Sequence, residues 1–255
     1  MPIITLTTDF GLKDHYVSSV KGAILQQLPQ ATIIDISNVI EKYHLPDTAF
    51  IIKNAYVNFP KGTIHIIGVK ANQTKDARHL IVLAQGHYFI GADNGIFSLL
   101  FGNDFEKIIA LPENNSVFPT RDIFATVACQ IAQGTALEQL GQVTHNVRQM
   151  LAFNAASMGD NIRGLVVYVD EYGNSITNIS KSLYQQVGKG RSFIIEVGRQ
   201  HLTISKISNS YSDVPDGEIL ALFNSSDYLE IAVNLGKADN LLSLKTNATI
   251  LIQFI

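Results

Sequence analysis

The stretch that decides the fold is PIITLTTDFG, residues 2–11, where a run of β-branched and apolar residues stops at Asp9-Phe10-Gly11. Such a run predicts a buried β-strand. Apolar residues then recur at helical spacing between residues 17 and 28, with Asp14 as a candidate N-cap. The chain therefore opens with a strand, a polar loop and a helix, which is one unit of an α/β fold.

The same alternation continues through residues 1–150. Strands are predicted at residues 32–36, 64–69, 80–84 and 88–90, and helices at 49–59 and 121–131. The strands 80–84 and 88–90 are close enough in sequence to form a hairpin through residues 85–87. This order predicts an α/β domain with a largely parallel sheet.

The character of the sequence changes after residue 150. Residues 151–160 are rich in Ala, Asn, Ser and Gly and are predicted to form a linker. Beyond the linker, residues 161–255 are predicted to form a smaller all-β domain of the barrel or sandwich type. Its strands are expected at residues 164–170, 192–197, 202–207, 218–223, 228–233 and 249–254.

Composition excludes several classes of function. The 255 residues include 19 Lys and Arg against 22 Asp and Glu, with no basic run, which argues against a nucleic-acid or anionic-membrane surface. Cys129 is the single cysteine and the histidines lack metal-ligand spacing, so we expect no disulfide, metal site or cofactor. Without a basic leader or an apolar run of about 18 residues, we expect a cytoplasmic protein.

Polar side chains stand where predicted strands end. Asp9 follows the first strand, and its carboxylate would suit a vicinal diol such as a ribose, although a turn or helix-entry role also fits. In the second domain Asp170 offers an acceptor for an ammonium group, Tyr172 a stacking face and Asn174 an amide suited to a purine edge. A plain hairpin turn would also explain residues 170–174.

Five segments in this order resemble the S-adenosylmethionine (SAM) hydroxide adenosyltransferases and their relatives, the SAM-dependent chlorinases and fluorinases. The likeness runs over nearly the whole chain. The segments are Thr8-Asp9-Phe10-Gly11 with Asp14; residues 89–95; Phe118 with residues 121–125; Val169-Asp170 with Tyr172-Gly173-Asn174 and residues 177–179; and Asn224-Ser225 with residues 228–232.

The resemblance implies a trimer that binds SAM between the N-terminal domain of one subunit and the C-terminal domain of its neighbour. SAM would be the substrate or ligand. Carried over, Asp9 would hold the ribose hydroxyls, Asp14, Asp170 and Ser225 would meet the methionine portion, and Tyr172, Asn174 and Tyr211 would contact the adenine.

Three positions depart from the hydrolytic members of the family. Their water-activating Asp, Arg and His align with Lys70, Ala77 and Pro119, and a one-residue slip would bring Arg78 to the Arg position. Halogenases instead carry a tyrosine at the Lys70 position, and the fluorinase carries a serine at the Thr120 position. Thr120, Lys70 and Arg78 are therefore the candidate catalytic residues.

Lys70 has two interpretations. An ammonium about 4 Å from a sulfonium would cost roughly 1 to 4 kcal/mol, but it would attract an anionic nucleophile. A solvated loop lysine is the alternative. The expected reaction is nucleophilic substitution at ribose C5′, giving adenosine and methionine. The alternatives are an inactive SAM- or adenosine-binding module and, third, a SAM-dependent halogenase.

Overall fold

The computed structural model describes residues 1–72, 74, 78–151, 154–198 and 202–255. The chain divides into an N-terminal unit, Met1–Leu151, and a C-terminal unit, Ala152–Ile255. Ala77, the residue aligned with the family's arginine, lies outside the described residues.

The N-terminal unit is a seven-stranded sheet in the order β2-β1-β3-β5-β4-β6-β7. The strands are β1 Ile3–Thr8, β2 Thr32–Ser37, β3 Ile64–Gly68, β4 His79–Ala84, β5 His87–Ala92, β6 Lys107–Ala110 and β7 Gln142–Thr144. Strands β2, β1, β3 and β5 are parallel, whereas β4, β6 and β7 join antiparallel. The predicted α/β class with a parallel core is confirmed.

Helices cover both faces of this sheet. The helices are α1 Tyr16–Gln27, α2 Leu45–Tyr56, α3 Ile96–Phe101, α4 Ala125–Ala132 and α5 Leu137–Leu140, with a π-helix, Thr120–Phe124, directly before α4. Ile4 and Leu6 of β1 pack in one core cluster with residues of α1 and α4. Ile67, Leu80 and Val82 belong to a second cluster with residues of α2 and α3. Burial on both faces explains why these strands are apolar almost throughout.

The strand order places a topological switch point, called the crevice below, between the carboxyl ends of β1 and β3. The chain passes from β1 to β2 on one side of β1, and then to β3 on the other side. The loops that leave the carboxyl ends of β1 and β3 therefore diverge, and open α/β sheets bind ligands at such a switch point. Residues 9–11 and 69–71 follow these two strand ends.

Several predicted boundaries need correction. Asp14 is not the N-cap of α1, because residues 12–15 form bends and the helix begins after His15. Helix α2 ends at Tyr56 rather than Phe59, since the amides of Asn58 and Phe59 close three-residue turns onto Ala55 and Tyr56. The β4–β5 hairpin is confirmed, and both of its turn residues, Gln85 and Gly86, have the positive φ of a type I′ turn.

The C-terminal unit is an all-β sheet of nine strands in the order β12-β11-β16-β9-β10-β15-β14-β13, with β8 paired to β9. Strand β12 approaches β14, so the sheet is nearly closed and barrel-like. The strands are β8 Ala156–Met158, β9 Asn161–Val169, β10 Ser175–Ser180, β11 Phe193–Val197, β12 Leu202–Ile204, β13 Ile207–Ser208, β14 Ile219–Phe223, β15 Tyr228–Val233 and β16 Thr249–Phe254. The helices are α6 Lys181–Gly188, α7 Ala238–Leu241 and a 3₁₀-helix, Tyr211–Asp213.

Two predictions for this unit differ from the structure. The predicted strand 202–207 is divided into β12 and β13, which pair with β11 and β14 respectively. The stretch 151–160, expected as a linker, contains β8, which pairs with the start of β9.

Among the helices of the described residues, none has the length and apolarity required to cross a bilayer.

Candidate functional site

Asp9 lies at the carboxyl end of β1 and is only 6% exposed. Its Oδ2 accepts a hydrogen bond from the backbone N–H of Tyr43 at 3.0 Å, and Lys42 Nζ donates to its backbone carbonyl. The preceding Thr8 donates from Oγ1 to Asn38 Oδ1 at 2.8 Å. These bonds fix Asp9 against the loop after β2. A carboxylate has several acceptor positions, so capacity for a ligand hydroxyl remains.

Thr120 opens the π-helix and is completely buried. Its Oγ1 has no hydrogen-bond partner among the described residues. A Cβ built on Gly68 would lie 3.1 Å from this oxygen and 3.0 Å from Thr8 Cγ2, which places Thr120 beside the ends of β1 and β3. An unsatisfied buried hydroxyl costs about 1 to 3 kcal/mol. A π-turn with such a group is a typical feature of a functional site.

An aromatic trio, Phe10, Tyr16 and Phe118, stands next to these two residues in sequence. The ring centroids of Phe10 and Phe118 are 5.5 Å apart, those of Tyr16 and Phe118 5.5 Å, and those of Phe10 and Tyr16 5.8 Å. The Arg121 guanidinium lies 5.0 Å from the centre of the Phe118 ring. The trio joins the loop after β1 to the segment before the π-helix and supplies an apolar wall.

Arg121 and Asp122 are engaged within the chain. Both backbone N–H groups donate to the carbonyl of Phe118. The Asp122 carboxylate accepts from Arg121 Nε at 2.6 Å and from Ser116 Oγ at 2.6 Å. These two bonds lower the pKa of Asp122. Both residues thus hold the start of the π-helix to the segment before it.

Lys70 is exposed and follows β3 with a positive φ of 47°. Its carbonyl, like that of Val69, accepts a hydrogen bond from the buried amide of Asn94. The exposure of Lys70 agrees with the interpretation of a solvated loop lysine. The loop that carries Lys70 nevertheless follows β3, at the crevice. Pro119, which aligns with the family's histidine, is buried directly before the π-helix.

Arg78 is tied to a structural loop. Its Nε donates to Asp93 Oδ2 at 3.3 Å and its Nη2 donates to the carbonyl of Asn146 at 2.6 Å. The other oxygen of Asp93 accepts from the backbone N–H of Arg148 at 2.7 Å. Gly95 follows with a φ of 106° at the start of α3. Residues 93–95 thus connect three loops, which is the structural role that a turn sequence predicts.

In the C-terminal unit, Asp170 and Asn174 close the turn between β9 and β10. Asp170 Oδ1 accepts from the Asn174 backbone N–H at 2.9 Å and Oδ2 accepts from Asn174 Nδ2 at 3.0 Å. Tyr172 projects from the tip of this turn and is 78% exposed. The residues of the hairpin turn are therefore also the candidate binding groups. The hydrogen bonds of the turn orient the carboxylate of Asp170 and the amide of Asn174.

A second polar cluster of this unit centres on Glu230, which sequence reasoning did not select. Glu230 is 2% exposed; its Oε1 accepts from the Tyr211 hydroxyl at 2.6 Å and its Oε2 from Asn224 Nδ2 at 3.2 Å. Burial, with the Asp170 charge adding to it, raises the pKa of Glu230 against the effect of these bonds. Burial and Glu230 likewise raise the pKa of Tyr211. The signal in the sequence was one acidic residue inside the apolar strand β15.

Ser225 and Asp14 are both exposed, and their side chains are less firmly oriented than those of Asp170 and Asn174. Ser225 is exposed in the turn between β14 and β15, next to Asn224. Asp14 is exposed in the loop between β1 and α1, and no contact of its carboxylate is found in the described part of the chain. The structure thus brings together Asp9 with Thr120 in one unit, and Asp170 and Asn174 with Tyr211 in the other.

One group in the described residues has ligand atoms close enough for a metal ion. It consists of Glu41, His44 and Asp47, whose ligand atoms lie within 4.8 Å of one another. His44 Nδ1 and Asp47 Oδ1 are 3.0 Å apart, and burial raises the pKa of Asp47. These residues surround the start of α2, next to the loop that contacts Asp9.

Residues 4–141 match the SAM hydroxide adenosyltransferase N-terminal domain, and residues 164–251 match the C-terminal domain of the same family. The chain belongs to the SAM hydroxide adenosyltransferase family. The two matches cover most of both units, so the family of enzymes expected from the five sequence segments is confirmed.

Individual relatives agree with this family. The chain is 28% identical to an (R)-S-adenosyl-L-methionine hydrolase from Methanocaldococcus jannaschii, over 96% of this chain and 93% of that protein. It is 21% identical to a fluorinase from Nocardia brasiliensis, over 99% of this chain and 97% of that protein. A crystal structure of an uncharacterized conserved protein from Thermotoga maritima superposes with a TM-score of 0.89 at 29% identity, covering 98% of this chain and 99% of that one.

Proposed function

We propose that the protein is an adenosine-forming SAM hydrolase, which substitutes water for methionine at C5′ of the ribose. The observation that carries this proposal is the buried pair of Asp9 and Thr120 at the switch point of β1 and β3. Family membership over both units and a relative named SAM hydrolase support the same reaction.

In the proposed reaction, a nucleophile attacks C5′ while the C5′–S bond breaks. Methionine leaves as a neutral thioether, and the positive charge leaves as the proton that the attacking water releases to solvent, so the enzyme gains mainly by aligning the nucleophile with the C5′–S bond. Asp9 would hold the ribose hydroxyls, the free Thr120 hydroxyl would hold the nucleophile, and the aromatic trio would limit access of further water. The step involves no redox change, and we propose SAM as substrate without a cofactor.

Groups of the C-terminal unit, with Asp14 of the N-terminal unit, would bind the two ends of SAM. We propose Asp170, Asp14 and Ser225 for the methionine portion, and Tyr172, Asn174 and Tyr211 for the adenine. We also propose the trimer of the family resemblance and a cytoplasmic location. Light scattering of the purified protein tests the trimer by its mass.

Two alternatives have their own supporting observations. Lys70 and Pro119 stand in place of the family's acid and imidazole, and Arg78 is paired with Asp93, which favours a SAM- or adenosine-binding module without turnover. The unpartnered Thr120 hydroxyl favours a halogenase, which is the third candidate. In that case Lys70 would attract the halide.

Incubation of the pure protein with SAM, with and without chloride or fluoride, separates the three by chromatography. The hydrolase predicts adenosine and methionine in equal amounts, above the rate in buffer and independent of halide. Binding in a calorimeter without product would support the binding module, and a halogenated nucleoside would support the halogenase. If SAM neither binds nor reacts, the proposal is wrong.

A further inference from the structure

Glu230 is a buried carboxylate in the apolar strand β15. The residues that face it across the sheet are Ile176 on β10 and Leu222 on β14, both apolar. Leu229 and Ile231, its neighbours on β15, are fully buried in the core of the unit. Removing a carboxylate from water is costly unless hydrogen bonds compensate for it, so a carboxylate in this strand calls for a role beyond packing.

The two oxygens of Glu230 hold two different segments. Oε1 accepts from the hydroxyl of Tyr211, which lies on the 3₁₀-helix, and Oε2 accepts from the amide of Asn224, which begins the turn before β15. The 3₁₀-helix is itself fixed by a capping box between Ser210 and Asp213. Glu230 thus connects the segment carrying Tyr211 to the turn carrying Ser225.

A glutamine cannot accept from both partners. The Asn224 amide cannot reverse, because its Oδ1 already accepts from the backbone N–H groups of Ser226 at 3.0 Å and Tyr228 at 3.2 Å. Asn224 therefore presents a donor, whereas the Tyr211 hydroxyl can donate or accept. With a glutamine, whose one oxygen is taken by Asn224, the Tyr211 hydroxyl would have to turn and accept a neutral hydrogen bond from the NH₂ group in place of its charge-assisted bond to the carboxylate.

We propose that Glu230 is the positioning residue of the nucleoside site, which fixes the Tyr211 ring and the 224–227 turn in one relative arrangement before the ligand binds. This inference rests on the proposed function, in which Tyr211 faces the adenine and Ser225 the methionine portion. Tyr211 is 42% exposed although its hydroxyl is bonded to Glu230, so part of the side chain remains accessible to a base. Holding both segments in advance removes an ordering cost from ligand binding.

The first test measures the dissociation constant of SAM for the wild type, Glu230→Gln, Tyr211→Phe and the double variant. Exchange of the charge-assisted bond to Tyr211 for a neutral one should weaken SAM binding by about five- to tenfold in Glu230→Gln, with kcat changed less than KM. Tyr211→Phe keeps the aromatic ring and removes the hydroxyl that donates to Glu230. If Glu230 acts through Tyr211, Glu230→Gln costs less in the Tyr211→Phe background than in the wild type. Glu196→Gln, an exposed glutamate on β11, is the matched control and should bind like the wild type.

The second measurement needs no ligand and reports the contact itself. In a ¹³Cζ-tyrosine NMR titration, Tyr211 should ionise at a higher pH than exposed tyrosines, and Glu230→Gln should lower its pKa. If the wild type binds SAM and Glu230→Gln binds within twofold of it, or if the two substitutions are additive, the positioning role is overturned while the proposed function stands. A wild type that does not bind SAM overturns both, even where the titration shows the contact.

Discussion

The two units present polar groups in opposite states. In the N-terminal unit, the Thr120 hydroxyl is buried without a partner among the described residues and Asp9 Oδ2 has one backbone donor. In the C-terminal unit, Asp170 is bonded to Asn174 and Glu230 to both Tyr211 and Asn224. An unsatisfied buried group lowers the stability of the free protein, whereas hydrogen-bonded groups make their surroundings more rigid. We therefore expect the Thr120 hydroxyl to act on the reacting groups, Asp9 to bind the ligand with its remaining acceptor positions, and the C-terminal groups to form a prearranged recognition surface.

The largest expected effect concerns the pH dependence of the two units. Burial, with a smaller contribution from His87, lowers the pKa of His65 from 6.5 to about 3. The unfolded chain therefore takes up a proton below pH 6.5 that the folded one refuses, and the N-terminal unit should lose about 2 kcal/mol between pH 6.5 and 5. The raised pKa of Glu230 acts in the opposite direction, since protonation relieves a buried charge as the pH falls.

Amide hydrogen exchange at several pH values, followed separately in each unit, measures this difference. His65→Phe, which keeps the stacking on Phe89, should flatten the acid loss in the N-terminal unit. Equal acid sensitivity of the two units in the wild type, or an unchanged slope in His65→Phe, would contradict the assignment.

Asp9→Asn tests the N-terminal unit as a binding surface. An amide in place of the carboxylate should weaken SAM binding by about 1.5 to 3 kcal/mol, the range of hydrogen bonds to a charged group. Calorimetric titration gives the value. Asp35→Asn is the control, because Asp35 lies on β2 in the same unit but forms an exposed ion pair with Lys21 at 2.6 Å. Unchanged affinity in Asp9→Asn would remove Asp9 from the site.

Two buried threonines sharpen the contrast between satisfied and unsatisfied groups. Thr5 Oγ1 is paired with His65 Nδ1 at 2.7 Å, whereas Thr120 Oγ1 has no partner in the described structure. Thr120→Val should therefore raise stability by about 1 kcal/mol and lower turnover about tenfold, while Thr5→Val should lower stability by about 1 to 3 kcal/mol. Thermal unfolding and adenosine release measure the two quantities. A destabilised Thr120→Val with full activity would place its hydroxyl outside the reaction.

The smallest effect is expected at Lys70. Because the ammonium is exposed, its repulsion of a sulfonium is screened, and Lys70→Met should strengthen SAM binding by less than about 1 kcal/mol, the difference vanishing at high salt. Lys13→Met, on an exposed loop of the same unit, controls for general charge. A loss of turnover specific to Lys70→Met would instead give Lys70 a part in holding an anionic nucleophile.

Sequence periodicity predicted the elements that have one buried and one polar face, or that are apolar β-runs. It did not predict α3, because Ile96–Phe101 is buried almost all round and carries no polar stripe. Helix α6 was missed for the opposite reason, since Gly188 is its one buried residue. The π-turn at Thr120–Phe124 depends on tertiary packing, which the local pattern does not contain.

The candidate site divides in the same way. Asp9 and Asp170 were predictable because polar residues at strand ends are visible in the sequence. The partner of Glu230 lies 19 residues away in Tyr211, and the isolation of the Thr120 hydroxyl depends on Gly68 and Thr8. Both are properties of the folded chain, so the sequence pointed to Thr120 and Tyr211 but not to Glu230 or to the hydrogen-bonding state of these groups.

The most direct test is the fate of oxygen when the wild type turns over SAM in H₂¹⁸O. Attack of water on C5′ predicts adenosine that carries ¹⁸O in its 5′-hydroxyl, together with unlabelled methionine in equal amount, as resolved by mass spectrometry. Adenosine without the label, or SAM bound and recovered unchanged, would contradict the proposed substitution by water.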